Sequence, residues 1–329
     1  MQFMYSSFLI LFLILLTHCS FTSHDKNVLS YETLANKKIL ILGDSITQNG
    51  RYVSYLDYFL QQQKPDFNYN ITSIGLSSET VSGISESHHP FPRPSIHYRL
   101  ERALTEIKPS VLMVCYGMND GIYHPLDEDI SAQYQTGIDK LITAARNHGV
   151  KSIILNAPPY FDSSVIKNKT QAIGYKDYGY KTPYENYNES LKAFGLYLAK
   201  LAQENNDISY IDLNTPMANY THQHNEHLNK DGIHPHNFGH FFIASIILKQ
   251  LGIVLPQDEL KSKFHAIEQS ELFKLIHERR ELNSTSWLNY IGYTRGNKTI
   301  KSQSIDTEIE KIKQLQEKID KLKISLTHD

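Results

Sequence analysis

The stretch Lys38-Ile39-Leu40-Ile41-Leu42, running straight into Gly43-Asp44-Ser45-Ile46, decides the fold. It is apolar from Ile39 to Leu42 without alternation, as a strand covered on both faces must be, and it stops on a turn. Runs of similar length recur at Tyr69–Ile74, Val111–Tyr116, Ser152–Asn156 and Ile208–Ile211. Among them, apolar residues fall at helical spacing over Tyr52–Gln63, Ile96–Ile107, Ile130–Asn147, Tyr184–Glu204 and Asn237–Leu251. His148-Gly149 closes the third of these as a helix stop. Strand and helix in alternation predict an α/β fold: a parallel sheet flanked by helices, joined by right-handed crossovers. In such sheets ligands bind beyond the carboxyl ends of the strands. Ser45, Gly75 and Asn119 each fall just after a strand, which points to a site there.

The chain has 329 residues, enough for one sizeable core and an appendage. With 40% hydrophobic and 21% charged residues it sits among ordinary globular proteins. A formal net charge of -2 provides no field for nucleic acid, so that partner class is excluded. The opening segment is apolar from Phe8 to Leu16, short for a bilayer span and suited to the core of a secretory signal. Small residues from Thr17 to Ser23 follow, so residues 1–23 are expected to be a signal peptide that sends the chain to the cell envelope or beyond. No basic residue precedes the apolar run, which leaves an N-terminal membrane anchor open, with a lipid on Cys19 as a third reading. The other of the two cysteines, Cys115, reads as a buried strand residue, so no disulfide is expected.

Four short blocks carry chemistry: Gly43-Asp44-Ser45-Ile46, Gly75, Gly117-Met118-Asn119-Asp120 and Asp231-Gly232-Ile233-His234. Ser45 at a strand-to-helix turn would expose its hydroxyl, which stays weakly nucleophilic until a base removes its proton. Alone it reads equally well as a turn serine. Asp231 and His234 lie three residues apart on one short loop, so His234 can face Ser45 while Asp231 accepts from the other ring nitrogen. Gly75 lets a backbone N–H approach a ligand, and the Asn119 amide is a further donor. With the Ser45 N–H, three donors could converge on a developing oxyanion. Asp120 reads as a local hydrogen-bond acceptor.

Taken together, these blocks resemble the SGNH (GDSL-type) hydrolase family, whose blocks read Gly-Asp-Ser, Gly, Gly-x-Asn-Asp and Asp-x-x-His. The resemblance covers roughly Lys38 to Leu251. It implies a three-layer α/β/α sandwich with a five-stranded parallel sheet, of flavodoxin-like type. It also implies Ser45 as nucleophile, His234 and Asp231 as its triad partners, and Ser45, Gly75 and Asn119 as the oxyanion hole. Gly75-Leu-Ser-Ser-Glu-Thr80, Arg93-Pro-Ser-Ile-His97 and Cys115-Tyr-Gly-Met-Asn-Asp-Gly-Ile-Tyr123 are similar to a bacterial secreted subgroup. So is Trp287-Leu-Asn-Tyr-Ile-Gly-Tyr-Thr-Arg295 in the tail. Family members cleave acyl esters, often acetyl groups on glycans, so the implied partner is a small-molecule or glycan ester. One departure is Leu76-Ser77-Ser78, where many relatives carry a second glycine.

Histidines cluster at His222, His224, His227, His234, His236 and His240, but no carboxylate or cysteine completes a ligand set, so no metal and no cofactor are expected. His88, His89, Arg93 and Arg99 could line the cleft, although a solvated loop is the simpler reading. Tyrosines near Gly121-Ile122-Tyr123 could stack on sugar rings; core packing is the alternative. Beyond Leu255, Lys261–Tyr293 reads as helical, a break falls at Arg295-Gly296-Asn297, and a final helix carries an apolar stripe from Ile305 to Leu326. That stripe suits packing or a helical hairpin better than a self-associating coil. The expected division is therefore 1–23 signal or anchor, 24–255 catalytic domain and 256–329 helical extension. A serine esterase is the leading reading. A lipid esterase or acyltransferase, and a silent glycan-binding surface protein using the same cleft, stay open.

Overall fold

The Lys38–Leu42 run forms β1 (Lys37–Gly43) in the computed structural model, which describes residues 29–63 and 67–326. Residues 1–23, expected from the sequence to be a signal peptide or anchor, lie with Cys19 outside those residues. Four further strands, β2 (Tyr69–Ser73), β3 (Val111–Cys115), β4 (Ser152–Asn156) and β5 (Ile208–Ile211), complete one sheet in the order β2-β1-β3-β4-β5. Every pairing in it is parallel.

Alternate residues of a strand point to opposite faces, and here both faces are covered. Ile39, Ile41 and Met113 enter one core with Tyr52, Leu56, Phe241 and Ile247. Leu40, Leu42, Leu112 and Val114 enter the other with Leu104, Ile138, Leu141 and Phe194. The first core belongs to α3 (Arg51–Gln63) and α8 (Asn237–Gln250); the second belongs to α4 (Leu100–Ile107), α5 (Glu128–Asn147) and α6 (Asn188–Glu204). The result is the expected three-layer α/β/α sandwich. Three short helices, α1 (Tyr31–Leu34), α2 (Ser45–Asn49) and α7 (Asn214–His224), fill the connections.

Several boundaries differ from the sequence reading for identifiable reasons. A helix starts at Ser45 itself, because the Asp44 carboxylate accepts from Ile46 N–H at 2.9 Å, and Gly50 at φ 62° ends it before α3. The Ile96–Ile107 helix breaks at Arg99, whose backbone leaves helical geometry. α6 starts at Asn188, since Tyr184 and Tyr187 close a turn ahead of it. α7 was hidden because only four of its eleven residues are buried, leaving little periodicity to read.

The tail is a set of helices built onto the sandwich. Ser270 splits the Lys261–Tyr293 region into α9 (Leu260–Gln269) and α10 (Glu271–Ile291), capping the second. The break at Arg295-Gly296-Asn297 is the tip of a hairpin, β6 (Tyr293–Arg295) with β7 (Lys298–Ile300), and Gly296 takes the positive φ of 58° at its turn. α11 (Asp306–Leu326) then packs along α10, and its stripe faces inward: Ile305, Leu315 and Ile319 are buried. α10 also covers the open edge of the sheet, where Asn283 donates to the Ile71 carbonyl at 3.0 Å and Ser284 to the Ser73 carbonyl at 2.6 Å. A buried ion pair between Arg279 and Asp57 ties α10 to α3. Among the described residues no helix is long and apolar enough to cross a membrane.

Ile319 is fully buried against Leu272 and Ile276 of α10. Ile319→Ala should therefore lower unfolding stability by about 2–5 kcal/mol in urea titration, the usual cost of such a cavity. A loss near zero would show that α11 is not seated on α10.

Candidate active site

The carboxyl ends of β1, β2 and β3 deliver three of the four blocks, and the loop ahead of α8 delivers the fourth. Ser45 is the first residue of α2, and its Oγ lies 2.9 Å from His234 Nε2. His234 Nδ1 lies 2.8 Å from Asp231 Oδ2. The second Asp231 oxygen accepts from the backbone N–H of Ile233 at 3.1 Å and of His234 at 2.7 Å. Partial burial pushes the Asp231 carboxyl up, but the His234 ring and these N–H groups outweigh it and hold the pKa at about 2. An ionised carboxylate only accepts, so Nδ1 carries the ring hydrogen and Nε2 is left to take the Ser45 proton.

The histidine loop is bracketed from behind by residues that the sequence did not point to. Asp162 N–H donates to the Gly232 carbonyl at 2.8 Å, and Asn229 Nδ2 donates to the Tyr160 carbonyl at 2.8 Å. Gly232 is at φ 81°, and a Cβ there would lie 2.8 Å from the Asp162 carbonyl oxygen. Asp162, buried, also accepts from His227 Nδ1 at 2.7 Å. The other clustered histidines have separate employment: His236 caps α8 and His240 stacks on Tyr52. Among the described residues no group of three or more His, Cys, Asp or Glu side chains is placed to hold a metal ion.

Asn119 sits in a tight turn and shares the cleft with Ser45 and His234. Its Nδ2 donates to the Glu79 carbonyl at 3.1 Å, and its Oδ1 accepts from Tyr123 Oη at 3.3 Å. Those contacts fix the amide and leave its second hydrogen for a ligand. Gly75 adjoins the helix that begins at Ser45. It lines a smaller neighbouring cavity with Gln48 and Ser284, pressed against α2, where a Cβ would fall 2.3 Å from Gln48 N and 2.7 Å from the Asp44 carbonyl oxygen. Ser78, in the stretch that departs from the family pattern, takes a positive φ of 67° and lines the cleft beside Ser77.

Of the four basic residues considered for the cleft, His89 and Arg93 line it. His88 is exposed beside Asp177, and Arg99 is buried, forked onto Glu79 at 2.7 and 2.6 Å. The cleft, about 280 Å³, also takes Phe91, Tyr180 and Arg295, which sequence reasoning did not assign to it. Arg295 comes from the tip of the β6–β7 hairpin, so the C-terminal extension builds part of the wall.

Two buried carboxyls stand behind these groups. Burial pushes Asp44 up to about 7, against the pull of Ile46 N–H and His234. Burial likewise pushes Asp120 up to about 6, against the pull of Ser82 and Val81 N–H, both 2.8 Å from its Oδ1. The folded chain thus keeps a proton on Asp120 that the unfolded chain releases between about pH 4 and 6, and stability falls as pH rises through that window. Asp120→Asn retains the acceptor oxygen and removes the titration. Relative to this variant, wild type should lose on the order of 3 kcal/mol between pH 4 and pH 7 in urea unfolding. A gap independent of pH would refute the assignment.

A sequence model of the GDSL-like lipase/acylhydrolase family matches residues 41–240, a span that contains all four blocks. No curated protein matches the chain by sequence. Among solved structures, a gut microbial diltiazem-metabolizing enzyme is similar at 22% identity and TM-score 0.48, over 66% of this chain and 47% of its own. The chain thus spans about half the length of that enzyme. A GDSL-like lipase of Bacteroides thetaiotaomicron is similar at 15% identity and TM-score 0.44, over 66% of this chain and 88% of its own. The psychrotrophic esterase EstA of a Pseudoalteromonas species is similar at 17% identity and TM-score 0.43, over 65% of this chain and 96% of its own. With its sheet, its blocks and more than half its length matched by the family model, the chain belongs to the GDSL-like lipase/acylhydrolase family.

Proposed function

We propose that this carboxylic ester hydrolase removes short acyl groups, acetyl above all, from a carbohydrate or other small ester through an acyl-enzyme on Ser45. The observation that carries the reading is the continuous line from Ser45 Oγ to His234 Nε2 at 2.9 Å and from His234 Nδ1 to Asp231 at 2.8 Å. His234 Nε2 takes the Ser45 proton as Oγ bonds to the ester carbonyl carbon, and the carbonyl oxygen becomes an oxyanion. Ser45 N–H, Gly75 N–H and the free hydrogen of the Asn119 amide receive that charge in this reading. Collapse breaks the C–O bond to the alcohol, which leaves with the proton from His234. Water then adds to the acyl-enzyme, His234 takes its proton, and Ser45 departs with that proton as the acid is released. Asp231 stays ionised throughout and balances the imidazolium.

The cleft favours short acyl groups over long ones. Its aliphatic lining is confined to Pro90 and Ile233, and a volume of about 280 Å³ leaves little length for a long chain. The apolar segment Phe8–Leu16 supports export, with the ester met outside the cytoplasm.

Turnover of 4-nitrophenyl acetate, butyrate and octanoate should fall with chain length, and Ser45→Ala and His234→Ala should each lower kcat by about 10⁴-fold or more with the fold retained. Activity within a few-fold of wild type in either variant would sink the mechanism. Gly75→Ala tests the support of the nucleophile. Its Cβ meets backbone rather than a yielding side chain, so α2 must shift, and a displacement near 1 Å costs about 100-fold in kcat/KM. Unchanged kinetics in a folded Gly75→Ala would show that Ser45 does not depend on this contact.

A further inference from the structure

The rim of the cleft holds a cation with no carboxylate to answer it. Arg295 stacks on Phe91, its guanidinium carbon 5.1 Å from the ring centroid, and Gly296 at the hairpin tip lies beside that ring. Phe91 in turn meets the His89 ring at 4.6 Å, and His89 meets Tyr180 at 5.4 Å. The aromatic wall therefore holds the guanidinium in place before any ligand arrives. Among the described residues no carboxylate lies within ion-pair distance of Arg295.

The surroundings add to this charge. No aspartate or glutamate lines the cleft, whereas Arg93 and Arg295 both do. Arg93 is already neutralised by Glu86 at 2.6 and 2.7 Å, which leaves Arg295 as the cation available to a ligand. The hairpin and its exit, Tyr293-Thr-Arg-Gly-Asn-Lys-Thr-Ile-Lys301, carry three basic residues and no acidic one. A guanidinium fork matches a carboxylate with two parallel hydrogen bonds. The half-buried ring of Tyr180 offers a flat face of the kind that sugar rings pack against, whereas Tyr123 is buried in the core.

Resting on the reading of the Ser45 cleft as an ester-hydrolysing site, we infer that its substrate is the acyl ester of an acidic sugar, with the sugar carboxylate received by Arg295. The C-terminal extension is then the part of the chain that sets this preference. The volume of about 280 Å³ lies at the lower edge of ligand pockets, which suits one sugar unit and a short acyl group.

The test is direct binding, which needs no turnover. The full chain is titrated with sodium glucuronate and with glucose by saturation-transfer NMR, as wild type, Arg295→Gln and Arg295→Lys. Glucuronate should bind wild type about ten-fold more tightly than glucose. That ratio should fall toward one in Arg295→Gln, recover in part in Arg295→Lys, and shrink in roughly 0.5 M salt. Equal binding of the two sugars, no binding of glucuronate, or a preference that survives in Arg295→Gln would each overturn the inference. Ser45-independent or absent ester hydrolysis would instead remove the catalytic reading, whatever the sugars do.

Discussion

A buried ion pair holds the site together. Glu79 is fully enclosed, forked by Arg99 and bonded by Tyr116 Oη at 2.5 Å, while Arg99 also donates to the Ile74 carbonyl at 2.7 Å. The loop after β2 is thus tied at once to α4 and to the end of β3. Through its backbone carbonyl Glu79 sets the Asn119 amide, and two residues on, Val81 N–H meets Asp120. Enclosing two charges costs desolvation energy that their attraction only partly returns, so such a pair is weak evidence for stability. Its value here is positional. Loss of either partner would leave a buried charge unanswered, so the loop has one acceptable arrangement.

The remaining supports follow the same economy of placement. Asp44 caps the helix that starts at Ser45, and Gly75 presses on the back of that helix. Asp162 and Asn229 brace the loop of His234, while Asp120 braces the strand-end loop opposite. Ser45 and His234 are therefore each held by a neighbour that does not line the cleft. Ser45 at the start of α2 and His234 on a loop keep a hydrogen bond across 189 positions of sequence, and such bracing makes that spacing reproducible.

Much of this was legible in the chain. Strands buried on both faces show as unbroken apolar runs, so Lys38–Leu42 and Val111–Tyr116 declared the sheet, and the four blocks declared Ser45, Asn119, Asp231 and His234. What stayed hidden was either non-periodic or paired at a distance. α7 buries too few residues to show a period. The Arg295-Gly296-Asn297 break concealed a hairpin whose flanking strands are three residues each. The pairs Glu79–Arg99 and Glu86–Arg93 look like solvated charges in a list of residues, because nothing local says that each will be buried with the other. Gly75 was legible as a special position, but the close approach to α2 that demands glycine appears only in three dimensions.

The helices after Leu255 change what kind of object the α/β/α sandwich is. Phe273 and Ile267 join the same core as α3 and α8, so the added helices share the packing that positions α2. α10 closes the edge that β2 would otherwise leave open, and the hairpin that follows it carries Arg295 to the cleft. One segment therefore protects the sheet edge and supplies a wall of the site. Truncation at Leu255 would remove both, exposing a strand edge and apolar core surface along with the cleft wall. The shape of the cleft and the integrity of the sandwich are consequently coupled through α10, which anchors the hairpin at one end and packs on β2.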